Sequence, residues 1–136
     1  MDSPFVVRTL VVEDNSFWQE MIVRKLQEQP NLRVIAVVAD GLEAVHNAED
    51  LQPDLVLLDI GLPRLNGIDV AKRLRKVAPA AKILFVSGDS CSDIIREALR
   101  IGALGYVHKP NVGSELLPAI QPVLAEMLSS STLAAN

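Results

Sequence analysis

The sequence predicts a doubly wound α/β domain, a parallel sheet with helices on both faces. Three observations carry this. Short apolar runs recur along the chain, each is followed by a stretch with apolar residues at helical spacing, and no run approaches the ~18 residues of a membrane span. With 136 residues, 49% hydrophobic and 22% charged, the chain suits one domain. A core of that size buries roughly 68% of the unfolded surface.

Val6 to Val12 is a β-branched run ending in "EDNS", after which Phe17, Trp18, Met21, Ile22 and Leu26 keep helical spacing. Leu32 to Ala39 is a second strand, and Asp40-Gly41 a turn. Leu42 to Leu51 is helical and stops before Pro53. Leu55 to Leu58 forms the third strand, Ile68 to Val77 the third helix, and Lys82 to Val86 the fourth strand. Ile94, Ile95, Ala98, Leu99 and Ile101 mark a helix that Gly102 can cap. Leu104 to Val107 is the fifth strand. From Glu115, Leu116, Leu117, Ile120, Val123, Leu124, Met127 and Leu128 form a helical stripe. Alternating strands and helices call for right-handed crossovers and a covered parallel sheet. A single domain is expected over 4–129, with 130–136 ("SSTLAAN") as a flexible tail or truncated linker.

A net charge of −4 without a basic block argues against nucleic-acid binding. The lone Cys91 excludes an internal disulfide. The opening "MDSPFVVRTLVV" lacks a signal-peptide h-region, so a cytoplasmic protein without a membrane anchor is expected.

In open parallel sheets, ligands bind beyond the carboxyl ends of the strands. Glu13 and Asp14 end the first strand, Asp59 the third and Ser87 the fourth, while the fifth runs through Tyr106 to Lys109 and Pro110. Singly, each has an ordinary reading: the acids as caps or turn formers, Ser87 as a cap, Lys109 as a turn lysine. Their joint placement on one sheet edge points to chemistry instead. Three converging carboxylates call for a cation, and a hard oxygen-loving ion, Mg²⁺ or Mn²⁺, suits them better than Zn²⁺. Such an ion favours a phosphoryl group, whose other oxygens Lys109 and Ser87 could hold.

Those residues, with the block "LLDIGLPRLNGIDV" and the pair "KP", resemble the receiver domains of bacterial response regulators in two-component phosphorelay signalling. Of these, the chain is most similar to receivers attached to helix-turn-helix transcription regulators. The resemblance covers about Val6 to Leu128. It implies the flavodoxin-like fold with strand order 2-1-3-4-5, and Asp59 as phosphoacceptor from a histidine kinase or phosphotransfer protein. It further implies metal binding through Glu13, Asp14, Asp59 and the Gly61 carbonyl, and a Ser87–Tyr106 switch pair. A cis peptide before Pro110 would aim Lys109 inward. The face of helix four, strand five and helix five would pass the signal on, to an output domain, a partner or a second copy in a homodimer.

Three features depart from the regular pattern. Gly61, two residues after Asp59, leaves an acyl phosphate unshielded, and Asp89 places a carboxylate at the rim; together they imply a self-limited phosphorylated state through autodephosphorylation. Pro118 and Pro122 interrupt the last helix and imply a kink or a late start. Trp18 lies one turn after Asp14, where packing is the expected role. His46 and His108 read as surface or edge residues. A haloacid-type phosphatase would carry a second aspartate where Gly61 stands, so the chain is not expected to be an enzyme. A degenerate receiver, binding constitutively, would lack part of the intact set.

Overall fold

The computed structural model describes residues 6–135, with side chains through Ser129; the expected domain start at residue 4 lies outside them. Five parallel strands, β1 (Val7–Val12), β2 (Leu32–Val38), β3 (Leu55–Leu58), β4 (Lys82–Ser87) and β5 (Gly105–His108), form one sheet in the order β2-β1-β3-β4-β5. Helices α1 (Ser16–Leu26), α2 (Gly41–Leu51), α3 (Gly67–Val77), α4 (Ser92–Arg100) and α5 (Val112–Ala135) alternate with them, and a single 3₁₀ turn spans Lys109–Asn111.

Strand side chains alternate between two cores. Leu10, Val12, Val56, Leu58, Ile83 and Phe85 join Ala44 and Ala48 of α2, Val70 and Leu74 of α3, and Ala98 of α4. Val7, Val11, Leu55, Leu57, Leu84 and Val86 join Ile22 and Leu26 of α1 and Leu116, Ile120 and Val123 of α5 on the other face. With both faces covered, β3 is buried throughout, which is why it reads as an unbroken apolar run.

The chain leaves β1 toward β2 on one side and crosses to β3 on the other, making the β1/β3 edge the topological switch point. There the Asp59 N–H donates to the Val12 carbonyl at 3.1 Å. Gly67 opens α3 against this edge: a Cβ on it would collide with the Asp59 carbonyl oxygen, so only glycine lets the helix start so close.

The last helix departs from expectation. It begins at Val112 instead of Glu115 and runs through both Pro118 and Pro122, so the late start is not found. Both prolines are exposed, one turn apart, so the carbonyls they leave without an N–H partner, of Ser114 and Pro118, lie toward water. Residues Leu116, Ile120, Val123 and Leu124 meanwhile keep the opposite stripe packed. The helix backbone also continues to Ala135 through the segment expected to be a tail, where no glycine or proline stops it.

Candidate phosphoryl-transfer site

Each site residue sits where a buried strand runs out. Asn15 caps α1 through its side chain, accepting the Trp18 N–H, while its own N–H donates to Glu13 Oε2 at 2.9 Å. The Gln19 amide donates to the Glu13 carbonyl at 2.6 Å. The first turn of α1 therefore fixes Glu13, which is 1% exposed. Asp59 is held by the Ile60 N–H, which donates to Oδ1 at 2.7 Å. Oxygens of Glu13, Asp14 and Asp59 lie within 4.8 Å of one another, with Asp14 the exposed member.

Lys109 reaches these acids from β5. Its Nζ lies 3.0 Å from Asp59 Oδ2, donating a hydrogen bond, and 2.7 Å from Glu13 Oε1. The second contact is close in distance but off hydrogen-bonding angle, so Glu13 Oε1 is a buried carboxylate oxygen with ionic attraction and no hydrogen-bond donor. Burial is the largest influence on Glu13, raising its pKa above the usual 4.5; the Asp59 charge adds to this, while Lys109 and the Asn15 N–H oppose it. Burial pulls the Lys109 pKa down, but its close pairing with the Glu13 and Asp59 carboxylates outweighs it and the net shift is upward.

The peptide before Pro110 is trans, correcting the expected cis bond. Proline's fixed φ suits the start of a helical turn, and Pro110 occupies the first residues of the 3₁₀ turn that begins at Lys109. Lys109 opens this turn directly after β5, with its ammonium against Glu13 and Asp59.

Ser87 is buried, and its Oγ accepts the Asp89 N–H at 3.3 Å. The Tyr106 hydroxyl donates to the Asp89 carbonyl and its ring stacks on Phe85, with centroids 6.4 Å apart. Ser87 and Tyr106 thus both engage Asp89. Gly61 is exposed, and a Cβ built on it meets nothing within 4 Å, so the flank of Asp59 is open.

A groove of about 430 Å³ lies apart from the acids and is lined by Ile95, Leu99, Gly105, Tyr106, His108 and Glu115. His108 Nε2 lies 3.3 Å from the Gly88 carbonyl; His46 is exposed, 3.4 Å from Asp50. Neither joins the acid cluster, and Cys91 is a free, exposed thiol. Sequence reasoning missed Asn15 and Gln19 as supports of Glu13, although an Asn before an apolar helical stripe is itself a cap signal. Trp18, expected to pack, is half-buried with its ring edge-on to Phe17, and the Lys109 ammonium also lies over that ring.

Residues 9–121 match the family model for the response regulator receiver domain. The chain belongs to that family. It is a receiver of two-component signal transduction, and its strand order is that of the family's flavodoxin-like fold. A protein-glutamate methylesterase/protein-glutamine glutaminase of Thermotoga maritima is 36% identical over 133 residues, 96% of this chain but 38% of that protein. The chemotaxis protein CheY of the same organism is 33% identical over 116 residues, covering 85% of this chain and 96% of CheY. The crystal structure of the response regulator domain of T. maritima CheB superposes with a TM-score of 0.81 at 35% identity, over 88% of this chain and 97% of that one. The receiver spans only 29% to 38% of the length of the first four methylesterase relatives.

Receivers of this family bind Mg²⁺ at an acidic pocket, and the donor set here fits a hard cation. It comprises three carboxylates, one with an oxygen lacking a hydrogen-bond donor, and among the described residues no sulfur or imidazole ligand joins them. No helix among the described residues is long and apolar enough to cross a membrane.

Proposed function

We propose that the receiver takes a phosphoryl group onto Asp59 from the phosphohistidine of a histidine kinase or phosphotransfer protein. The observation that carries this reading is the Lys109 ammonium 3.0 Å from Asp59 Oδ2 at the β1/β3 switch point, beside two further carboxylates. An Asp59 carboxylate oxygen attacks phosphorus, the O–P bond forms as the P–N bond breaks, and the electron pair returns to the imidazole, which takes a proton from solvent. Glu13, Asp14, Asp59 and the Gly61 carbonyl would hold Mg²⁺ (or Mn²⁺), which supplies charge neutralisation at the phosphoryl oxygens. Lys109 pairs with a phosphoryl oxygen, giving up its contact with Asp59 Oδ2.

Ser87 and Tyr106 are the switch. Once Asp59 is phosphorylated, the Ser87 hydroxyl has a new anionic partner and its hold on the Asp89 N–H changes, which alters the turn that Tyr106 grips. Phosphorylation then acts as a population shift, stabilising the arrangement that binds the phosphoryl group more tightly. The α4–β5–α5 face carries the change to an output domain, a partner or a second copy. Its chemistry ends in autodephosphorylation rather than turnover of a substrate. The functional unit is residues 4–129, and a DNA-binding output is one partner consistent with this surface.

The test is mass measurement after incubation with Mg²⁺ and acetyl phosphate. A single phosphoryl adduct, absent from Asp59→Asn and from samples in EDTA, supports the reading; no adduct on the unaltered chain favours a receiver that binds constitutively.

A further inference from the structure

The only tryptophan in the chain sits at the phosphoryl site, with the Lys109 Nζ 5.9 Å from the centroid of the Trp18 ring. That is within the ~6 Å over which an aromatic face attracts a cation. Four neighbours define the passage Lys109 occupies. Its stem runs beside Gly88, where an added Cβ would lie 3.9 Å from Cδ, and its head is bounded by Glu13 Oε1, Asp59 Oδ2 and the indole. The ring is itself braced, because Phe17 packs edge-on against it at 5.1 Å and 84°.

Three things attract this ammonium, and they differ in how they respond to phosphorylation. Asp59 ceases to be a free carboxylate when it becomes an acyl phosphate. Glu13, buried and raised in pKa by that burial, is the acid a cation can also claim. The indole face alone keeps the same charge distribution throughout, and its attraction does not fix any one N–H direction, so the ammonium can slide from carboxylate to phosphoryl oxygen without leaving the ring.

We propose that Trp18 is a positioning residue for phosphoryl transfer. It holds the Lys109 ammonium through its ring face, keeps it in the passage as its partner changes from Asp59 to the phosphoryl group, and thereby sets the rate of phosphorylation. This rests on the Asp59 phosphoacceptor reading above.

Because Trp18 is the sole tryptophan, growth on fluorinated tryptophans alters this one site, withdrawing electron density from the ring face at nearly constant shape. The rate of adduct formation from acetyl phosphate and Mg²⁺ should fall stepwise from tryptophan through 5-fluorotryptophan to 5,6,7-trifluorotryptophan. The last should match Trp18→Leu, about two- to fivefold below the unaltered chain, with Trp18→Phe between. A second measurement needs neither metal nor phosphate: NMR of the unphosphorylated chain in EDTA should show the Lys109 Hε protons shifted upfield by the ring, and the shift lost in Trp18→Leu. A flat rate across the fluorinated series, or unshielded Hε protons in the unaltered chain, overturns the proposal. If the unaltered chain takes no phosphoryl group at all, the phosphoacceptor reading and the kinetic role fall together, while the NMR shift still decides whether ring and ammonium are in contact.

Discussion

Lys109→Met keeps the length of the side chain and removes its charge, leaving Glu13 and Asp59 buried without their cation. At an effective dielectric constant of ~20, contacts of 2.7 and 3.0 Å are each worth about 5–6 kcal/mol of gross attraction. Most of that repays the cost of burying the ammonium. The quantity a mutation reads is the penalty of stranding the acids, about 3–5 kcal/mol for a buried pair that loses one partner. For a chain of this length each kcal/mol corresponds to about 3–4 °C, so in EDTA near neutral pH the melting temperature should fall by about 10–20 °C.

The penalty also has a pH signature. The Glu13 pKa is raised, so folded Glu13 keeps its proton to higher pH than unfolded Glu13, and its contribution to stability is full below 4.5 and lost as pH climbs through the folded value. Removing Lys109, which opposes the rise, pushes the folded value further up. The gap between the unaltered chain and Lys109→Met should therefore be widest near pH 8 and narrow toward about pH 5. Thermal melts across that range, with Glu13→Gln and the double variant completing a cycle, measure it. A Lys109→Met chain within about 1 kcal/mol of the original at neutral pH, or a gap that widens on acidification, would refute the reasoning.

Other expectations are as direct. Tyr106 is the only tyrosine, and burial raises its pKa above 10.0. Its phenolate absorbance should appear only above that value, and the stability it contributes should be lost as pH rises from 10.0 through the folded value, with both signals absent in Tyr106→Phe. Gly61→Arg, placed where a side chain meets nothing, should shield the acyl phosphate and slow its hydrolysis by roughly tenfold, equivalent to ~1.4 kcal/mol, in a decay assay of the adduct; an unchanged decay rate removes the shielding argument. Replacing Pro118 and Pro122 by alanine restores two helical N–H donors and should raise the unfolding free energy read from urea titration by about 1–3 kcal/mol per site, no more than the full helix-interior penalty because the freed carbonyls are hydrated. Sedimentation of the same variants should show altered self-association.

The order of elements was legible because a parallel sheet covered on both faces writes itself as short apolar runs, and β3 is buried at every residue. The site was legible because a sheet edge converts strand order into proximity: Glu13, Asp59 and Lys109 are remote in sequence but adjacent once β1, β3 and β5 carry them to one edge. What escaped depends on orientation and packing. Spacing put Trp18 one turn after Asp14, yet only the position of β5 reveals a lysine in front of its ring. The start of α5 was obscured by Gly113, Ser114 and Pro118, all poor helix formers, while burial of Val112 and Leu116 against the sheet outweighs their preferences. The bond before Pro110 is trans, and with it Lys109, at the head of the 3₁₀ turn, already reaches both acids.

The route from the acids to the outer face narrows to one residue. Asp89 donates its N–H to Ser87 Oγ, accepts the Tyr106 hydroxyl on its carbonyl, and accepts on Oδ1 the N–H of Cys91, the residue that precedes α4. In the proposed switch, a change at Ser87 would reach β5 and the start of α4 through this one residue. The response at α4 is cheap because the helix is loosely held. Of its nine residues only Ala98 is fully buried, against four in α3, and its N-terminus has no side-chain cap. Its far end, by contrast, is tied down: Arg75 of α3 donates to the carbonyls of Ile101 and Gly102. Elements with few buried apolar contacts are the first to move. In the proposed switch, a helix tied at its C-terminus and lightly packed along its length would swing at its N-terminal end, and that motion would reshape the groove that Ile95 and Leu99 share with Tyr106.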